Sequence, residues 1–273
     1  MADKRLTAAR PDLAAAHLKG QVEAARFVEG ETFSIGWGRA PLRVAPSDDA
    51  AQDSELLFGE IVTVYERKNG WAWLQAASDG YVGYVRADAL GDVDSTPFRV
   101  NATMSPLFPA ADLKAPVRDF LPMNARVPVL SRQGDYVEVK RGGYVYYRHL
   151  VPQDQHDVDF VAVAERFLGV PYVWGGKTFA GIDCSGLIQT SLTAAGIKCP
   201  RDTDLQERAL GNEVSWPERG DLVFWKGHVG VMRNSTHLVH ANAFHMQVAR
   251  EPLAEALTRI EQACGRVTSV RRL

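Results

Sequence analysis

The sequence predicts a multidomain protein in which two small all-β domains precede an α+β domain. Three observations support this prediction. Short runs of β-branched and aromatic residues, separated by turn signals, fill the segment from about residue 36 to residue 90. A weaker version of the same pattern follows at an offset of roughly 60–65 residues. After residue 152 the apolar spacing becomes helical and then changes to short strands, which is typical of an α+β domain.

The first all-β domain is predicted over residues 34–92, after a leader at residues 1–33 that is predicted to be helical or irregular. Its strongest signal is Asn69-Gly70, a dipeptide preferred in two-residue hairpin turns. Residues with high β-propensity lie on both sides of this turn, at positions 61–65 and 71–74. These segments predict a β-hairpin.

The second all-β domain is predicted over residues 98–152. Three of its segments repeat segments of the first domain: 127–130 repeats 62–65, 136–139 repeats the strand that begins at Trp71, and 143–145 repeats 80–82. Two tandem copies of one small β domain are the simplest interpretation of this repeat.

The α+β domain is predicted over residues 153–273. Its helices are predicted at 158–168, 184–195 and 205–210, and Gly196 ends the second of them. Its strands are predicted at 222–225, 228–232 and 237–241.

Composition excludes several classes of protein. The chain has 273 residues, of which 46% are hydrophobic and 23% charged, as in ordinary globular proteins. The net charge of -2 gives no basic field for nucleic acid. Three scattered cysteines are too few for a disulfide framework. The longest apolar runs are far shorter than the ~20 residues of a membrane span, and the first residues show no signal-peptide pattern. We therefore expect a cytoplasmic protein with no nucleic-acid or membrane partner.

Cys184 is the first candidate for chemistry. Asp183 is a suitable N-cap, so Cys184 is predicted in the first turn of a helix. Unpaired N–H groups and the helix dipole favour an anion there. We therefore expect the pKa of this thiol to lie below its free value of about 8.5, which would make it a good nucleophile. Cys199 and Cys264 have no partner motif and are interpreted as structural.

Two histidines are predicted to meet on a β-hairpin. His228 opens one strand and His240 ends the next, with a turn centred on Asn234. Symmetric pairing about Asn234 places the two histidines opposite each other, with Cβ atoms about 4.5–5.5 Å apart. A base held by a second polar group is what an activated cysteine needs. His237 and His245 have no such partner in this register and are interpreted as surface or packing residues.

A zinc site made of Cys184, His228 and His240 is the alternative, because a hairpin can present two imidazoles to one ion. The sequence shows no H-x-x-x-H pair and no evident carboxylate to support these histidines. We therefore predict no metal and no cofactor.

Five strings in this order resemble the NlpC/P60 family of cell-wall cysteine peptidases. They are Pro171-Tyr172-Val173-Trp174-Gly175-Gly176, Asp183-Cys184-Ser185-Gly186, Arg219-Gly220-Asp221-Leu222-Val223-Phe224, Gly227-His228-Val229-Gly230 and His240. The resemblance implies a papain-like fold and cleavage between γ-D-glutamate and a diamino acid in peptidoglycan stem peptides. It assigns Cys184 as the nucleophile, His228 as the base and His240 as the residue that orients the base.

The resemblance also implies substrate contacts. Tyr172 matches an aromatic residue whose hydroxyl lies near the nucleophile and can bind substrate or the developing oxyanion. Asp183 and Ser185 match positions that contact the glutamyl part of the substrate. Asp183 could equally serve only as a helix cap.

The two β domains each resemble bacterial SH3-like domains, and two of them before the peptidase resemble a narrower subgroup. Its members recycle free murein peptides with an unblocked N-terminal L-alanine. Asp202 and Thr203 match residues that help to bind the peptide amine, although Thr203 and Gln206 could also form a capping box. Glu60 and Tyr81 are the nearest matches to residues of the first SH3-like domain that close the pocket. A surface or packing role explains both equally well.

Three alternatives stay open at this point. The first is a secreted hydrolase of intact cell wall with the SH3-like domains as wall anchors. The second is a non-catalytic wall-binding protein, which the complete set of Cys184, His228 and His240 disfavours. The third is acyl transfer, which shares the acyl-enzyme chemistry.

Overall fold

The computed structural model describes residues 3–273 as two compact units, which divide between Gln153 and Asp154. The predicted start of the third domain, residue 153, is thus the last residue of the first unit. None of the described helices is long and apolar enough to cross a lipid bilayer.

The leader is folded against the first β domain. Its strands β1 (Ala14–Ala15) and β2 (Phe27–Val28) pair in parallel, and a 3-10 turn follows β1. Arg10 lies 4.4 Å from the centre of the Trp73 ring, and it pairs with Glu66 at 2.7 Å. The leader therefore belongs to the packed structure of the first unit.

Seven strands of the first β domain form one sheet in the order β5-β4-β8-β7-β6-β3-β9. They are β3 (Glu31–Ile35), β4 (Arg39–Arg43), β5 (Gln52–Leu57), β6 (Ile61–Lys68), β7 (Trp71–Ala76), β8 (Val82–Arg86) and β9 (Leu90–Gly91). The predicted hairpin is confirmed, because Asn69 and Gly70 join β6 to β7 with φ angles of 51° and 79°.

The second β domain repeats this strand order. Its strands are β10 (Phe98–Val100), β11 (Met104–Phe108), β12 (Asp119–Pro122), β13 (Arg126–Val127), β14 (Val129–Gln133), β15 (Tyr136–Val139), β16 (Tyr144–Tyr146) and β17 (Leu150–Pro152). One sheet has the order β12-β11-β16-β15-β14 and the other β13-β10-β17. When β13 and β14 are taken together as the counterpart of β6, the order matches that of the first domain.

The repeat is aligned differently from the sequence prediction. Residues 143–145 correspond to 83–85, not to 80–82, because each segment is followed after one residue by a 3-10 turn, Ala87–Ala89 or Tyr147–His149. A Cβ on Gly83 would lie 2.8 Å from Leu42, and one on Gly143 would lie 2.8 Å from Leu107. Glycine is thus needed at both positions because the neighbouring strand approaches closely.

The two β domains share packing. The Phe58 side chain, directly after β5 of the first domain, is buried in the apolar core of the second domain. The N–H of Arg126 donates to the Phe58 carbonyl at 2.8 Å. Arg141 of the second domain donates to the Ile35 carbonyl at 2.9 Å. These contacts fix the two β domains together within the first unit.

The second unit packs helices against a six-stranded antiparallel sheet of order β20-β25-β21-β22-β23-β24. Its elements are α1 (Phe160–Glu165), β18 (Lys177–Thr178), β19 (Gly181–Ile182), α2 (Cys184–Ala194), α3 (Thr203–Ala209), β20 (Asn212–Glu213), β21 (Leu222–Trp225), β22 (His228–Met232), β23 (His237–Asn242), β24 (Gln247–Pro252), α4 (Leu253–Cys264) and β25 (Ser269–Arg272). Helix α2 packs on β22 and β23. The predicted helices and strands are all present, whereas β18, β19, β20, β24, α4 and β25 are additions to the prediction.

Candidate active site

Cys184 is the first residue of α2, as predicted. The Asp183 side chain caps this helix by accepting a hydrogen bond from the Gly186 N–H at 2.7 Å. Because α2 packs on β22 and β23, its first turn is covered, and only 6% of Cys184 is exposed. The thiol therefore lies at a capped helix start beside the strands that carry the two histidines.

The expected fall in the pKa of Cys184 is wrong for the free protein. Burial, followed by the negative charge of Asp183, raises the pKa of this thiol to about 11. Hydrogen bonds from Thr203 and from the backbone of Val229 and Ser185 only partly oppose the rise. Desolvation outweighs the helix terminus here, so Cys184 is a thiol at neutral pH and needs a base.

The rings of His228 and His240 touch, as predicted. Nε2 of His228 lies 2.9 Å from Nδ1 of His240. His240 is fully buried, and the ring centres are 5.1 Å apart. One nitrogen of His228 is thus held by His240, which is the arrangement expected for a base and its orienting residue.

The register that brings these rings together differs from the predicted one. The observed pairing places Gly230, rather than His228, opposite His240. The turn is longer than symmetric pairing about Asn234 assumes, because the Asn234 side chain accepts hydrogen bonds from the N–H groups of Thr236 and His237. His228 is therefore a diagonal neighbour of His240, and Gly230 leaves room for the imidazole between them.

Behind His240 lies a carboxylate that was not predicted from the sequence. Nε2 of His240 is 2.9 Å from Oε2 of Glu251, on the adjacent strand β24. Arg259 of α4 donates to both oxygens of Glu251, at 3.1 and 2.6 Å. The row therefore runs from His228 through His240 and Glu251 to Arg259.

These contacts set the charges in the row. Burial lowers the pKa of His228 to about 3, and His240 and Arg259 add to this effect. Burial also lowers the pKa of His240, against the opposing effect of Glu251. Burial opposes ionisation of Glu251, but hydrogen bonds from His240 and Arg259 outweigh it and lower its pKa to about 2. At neutral pH both imidazoles are thus neutral and Glu251 is a carboxylate.

Tyr172 lies close enough to Cys184 and Asp183 to feel their charges. Burial, then the negative charges of Cys184 and Asp183, raise the pKa of its phenol. Its backbone pairs with Ile182, which immediately precedes Asp183. The Tyr172 hydroxyl therefore keeps its proton at neutral pH and is available as a hydrogen-bond donor.

The Asp183 carboxylate is bound on all sides by the protein. Arg201, which is 1% exposed, donates to its two oxygens at 3.0 and 2.6 Å. Gly175 N–H donates to one oxygen at 2.8 Å, and the Ser185 hydroxyl donates to the other at 3.2 Å. Asp183 thus acts as the predicted cap, while contacts of Asp183 and Ser185 with substrate stay predictions.

Thr203 contacts Cys184 rather than forming a capping box. Its hydroxyl is 3.8 Å from the Cys184 sulfur. Asp202 is the N-cap of α3 by its backbone, without a cap bond from its side chain. The Gln206 side chain instead donates to the carbonyls of Ser185 and Pro200. The capping-box alternative for Thr203 is therefore wrong, while the substrate contacts of Asp202 and Thr203 stay predictions.

The two predicted residues of the first β domain are both buried. Glu60 is 7% exposed and accepts a hydrogen bond from the Leu57 N–H at 3.0 Å. Tyr81 is 3% exposed and belongs to the apolar core of that domain. Packing thus accounts for the Tyr81 ring, and substrate contacts of both residues stay predictions.

Two sequence families match separate parts of the chain. Residues 42–90 match the family described as the bacterial dipeptidyl-peptidase SH3 domain. Residues 169–264, which include Cys184, both histidines and Glu251, match the NlpC/P60 family. The second unit therefore contains a domain that matches the NlpC/P60 family. This family has a papain-like fold, so one SH3-like domain and the papain-like cysteine peptidase domain are confirmed.

Two relatives that align with about three quarters of the chain are named gamma-D-glutamyl-L-lysine dipeptidyl-peptidase. One from Bacillus cereus (strain ATCC 10987 / NRS 248) is 24% identical over 235 residues, covering 74% of this chain and 70% of that protein. One from Bacillus subtilis (strain 168) is 27% identical over 227 residues, covering 73% and 75%. A solved NlpC/P60 family protein from Bacillus cereus ATCC 10987 is similar with a TM-score of 0.74 at 20% identity, over 89% of this chain and 99% of that one. This last similarity shows the fold.

The NlpC/P60 site is poorly suited to a metal ion. The zinc alternative needs free imidazole nitrogens on His228 and His240. Nε2 of His228 and Nδ1 of His240 are instead 2.9 Å apart and bind each other. Donor atoms of His240, His245 and Glu251 lie within 4.8 Å of one another. A cation bound by His240, His245 and Glu251 would have to displace the guanidinium of Arg259 from Glu251. It would also have to remove the proton between His240 and Glu251.

Three side chains that support the candidate site through hydrogen bonds were not predicted from the sequence: Arg201, Glu251 and Arg259. Glu251 and Arg259 lie on β24 and α4, which are absent from the predicted elements. The apolar residues of α4, at positions 253, 256, 260 and 264, have helical spacing that could have identified this helix. The pairing of Glu251 with His240 depends on register and leaves no sequence signal.

Proposed function

We propose that the protein is a cysteine peptidase that hydrolyses the γ-D-glutamyl–diamino acid bond of peptidoglycan stem peptides. The observation that carries this proposal is the 2.9 Å contact between His228 and His240 in the same domain as a helix-start cysteine. The match of residues 169–264 to the NlpC/P60 family and the names of the two relatives support the choice of the bond that is cleaved.

Acylation begins with proton transfer from the Cys184 thiol to His228. The sulfur attacks the γ-carbonyl carbon of D-glutamate, and charge develops on the carbonyl oxygen. The Tyr172 hydroxyl, which stays protonated, is a suitable donor to that oxygen or to the bound substrate. The carbon–nitrogen bond then breaks as His228 gives its proton to the leaving amine, and a thioester remains on Cys184.

Deacylation repeats the sequence with water. His228 takes a proton from the water as its oxygen attacks the thioester carbon. The carbon–sulfur bond breaks, the sulfur takes the proton back from His228, and the glutamyl product leaves with a free carboxylate. The neutral state of His228 at pH 7, set by its pKa of about 3, lets it accept a proton in both half-reactions.

We further propose that the substrates are free L-Ala-γ-D-Glu-diamino acid peptides and that the enzyme acts in the cytoplasm during cell-wall recycling. Asp202 would pair with the substrate ammonium, and Glu60 and Tyr81 of the first SH3-like domain are proposed as further substrate contacts. A charge-assisted contact of this kind is strong when it is shielded from water.

We also propose that residues 98–152 are a second SH3-like domain. The matching strand orders of the two β domains support this. The equivalent close approaches at Gly83 and Gly143 support it independently.

The test compares two substrates. The protein is incubated with L-Ala-γ-D-Glu-meso-diaminopimelate and with intact sacculi, and products are identified by mass spectrometry. We expect release of the diamino acid from the free peptide. Release of peptides from sacculi alone would favour a wall hydrolase with SH3-like anchors. Binding to sacculi without any cleavage would favour a wall-binding protein.

A further inference from the structure

The row of hydrogen bonds behind the nucleophile continues beyond the predicted catalytic residues. Glu251 and Arg259 extend it by two side chains, and both partners of the His240–Glu251 contact are buried. Glu251 is a diagonal neighbour of His240, because Ala249 is paired opposite His240. Gly230 on one side and Ala249 on the other are small, so the His240 ring can reach both its neighbours.

We propose that Glu251, held by Arg259, is a positioning residue that fixes which nitrogen of each active-site imidazole carries the proton. The proposal rests on the proposed peptidase function. A carboxylate only accepts hydrogen bonds, so Nε2 of His240, 2.9 Å away, carries a proton. In a neutral imidazole the other nitrogen, Nδ1, is then an acceptor. Nε2 of His228, which faces that Nδ1, must be the donor.

This order leaves the free lone pair of His228 on Nδ1. That atom is the one able to take the proton of Cys184. With the reverse order, Nδ1 of His228 would carry hydrogen and could not act as a base. The proton positions on two residues are thus decided by a third, which touches neither the substrate nor the sulfur.

Arg259 has a separate part in this arrangement. Its two hydrogen bonds help to keep Glu251 ionised, as the low pKa of that carboxyl shows. An ionised Glu251 cannot donate to Nε2 of His240, so the order of the protons stays fixed. The guanidinium is held in turn over the Phe244 ring at 4.5 Å.

The experiment uses Glu251→Gln, Arg259→Lys and one matched control. Both oxygens of Glu251 accept hydrogen bonds, whereas a glutamine amide has one accepting oxygen and one donating NH₂ group. In either orientation of the amide, an N–H group would face a donor of His240 or of Arg259. Asp221→Asn is the control, because Asp221, directly before β21, is also a buried carboxylate held by an arginine, Arg272 at 2.8 Å. It makes no contact with the histidines among the hydrogen bonds described.

Three quantities are measured on the full chain: kcat and KM for the free tripeptide, the rate of alkylation of Cys184 by iodoacetamide, and the ¹⁵N shifts of the imidazoles. For Glu251→Gln we expect kcat to fall at least about tenfold with KM changed less than about twofold, because the charged hydrogen bond behind the base is removed. The alkylation rate should fall in parallel, and His240 should show mixed tautomers. Arg259→Lys should have a kcat and an alkylation rate between those of the wild type and Glu251→Gln, because lysine keeps the positive charge but cannot form the bidentate contact with Glu251.

The control should lose stability but keep kcat within about twofold of the wild type. If Glu251→Gln and Asp221→Asn have the same kcat, alkylation rate and imidazole tautomers, Glu251 and Arg259 have only a structural role. The proposal is then overturned. If Glu251→Gln does not fold, the same comparison with Arg259→Lys decides. If the wild type leaves the tripeptide intact while alkylation and ¹⁵N shifts respond to Glu251→Gln, the substrate assignment fails and the positioning role stands.

Discussion

At the scale of single residues, burial dominates the chemistry of the site. The helix start alone predicts a thiolate at Cys184, whereas the packed protein raises the pKa of its thiol to about 11 and lowers that of His228 to about 3. A preformed ion pair is therefore disfavoured in the free enzyme. Proton transfer from Cys184 to His228 belongs to the attack itself, when substrate changes the surroundings of both groups.

Cys184→Ala should abolish hydrolysis, because no other group in the site can form the thioester. The fold should remain, since the change removes one sulfur atom at a helix start. Activity is measured on the free tripeptide, with far-ultraviolet circular dichroism as the check on folding. Cys199→Ala, at a cysteine whose thiol donates to the neighbouring Pro200 carbonyl, should keep full turnover. Turnover by Cys184→Ala above a trace would remove the assignment of the nucleophile.

The buried histidines should make the protein less stable in weak acid. The pKa of His228 is about 3 in the folded state, below the value near 6.5 of an unfolded histidine, and that of His240 is also lowered. Between these pH values the unfolded chain binds more protons, so stability falls as the pH drops below about 6.5.

We expect a loss of about 1–2 kcal/mol between pH 7 and pH 5, measured as a lower urea midpoint. His228→Gln should show a smaller pH dependence than the wild type. Equal pH dependence in the two proteins would contradict the assignment of a low pKa to His228.

At the scale of elements, the site depends on how three neighbouring strands are aligned. His228, His240 and Glu251 lie on β22, β23 and β24 and form a diagonal row across them. The sequence predicts β21 and β22 with the observed bounds, because their apolar runs are short and clearly delimited. It does not predict the register, since one side-chain oxygen of Asn234 lengthens the turn. Glu251 was unpredictable for the same reason, because a diagonal contact exists only once the register is set.

Gly230→Ala tests the space within this row. A Cβ at this position would lie 2.5 Å from Leu238 and 3.2 Å from the Cβ of His240, so both side chains must shift. We expect kcat to fall at least about tenfold, because small displacements of catalytic groups are costly. The control is Val231→Ala, on the opposite face of β22, which should lose stability through a cavity but keep kcat. A wild-type kcat in Gly230→Ala would show that the row tolerates displacement.

At the scale of the whole molecule, one chain combines a peptidase unit with a unit of two joined β domains. Phe58 of the first β domain fills part of the core of the second, so neither is a freely moving wall anchor on its own. The sequence predicts the repeat because each copy keeps its aromatic and β-branched strands. The packing of Phe58 leaves no trace in the periodicity. The contribution of the first β domain is therefore tested by measuring substrate specificity.

The recycling hypothesis predicts a strong preference for substrates with a free N-terminal amine. Acetylation removes the positive charge that Asp202 and Glu60 are proposed to bind, and leaves carboxylates poorly compensated. We expect kcat/KM for the acetylated tripeptide to be lower by at least about tenfold for each ion pair that the blocked amine cannot form, equivalent to about 1.4 kcal/mol each. Asp202→Asn and Glu60→Gln should each weaken cleavage of the free peptide and narrow this preference.

The control for the first β domain is Glu55→Gln, because Glu55 is also buried there and pairs with Arg39 at 2.8 Å. It should leave the preference unchanged. If Asp202→Asn narrows the preference for the free peptide and Glu60→Gln does not, only the peptidase unit recognises the amine. Equal kcat/KM values of the wild type for the free and the acetylated tripeptide would contradict the requirement for a free amine. No ion pair would then distinguish a recycled peptide from one still attached to the wall.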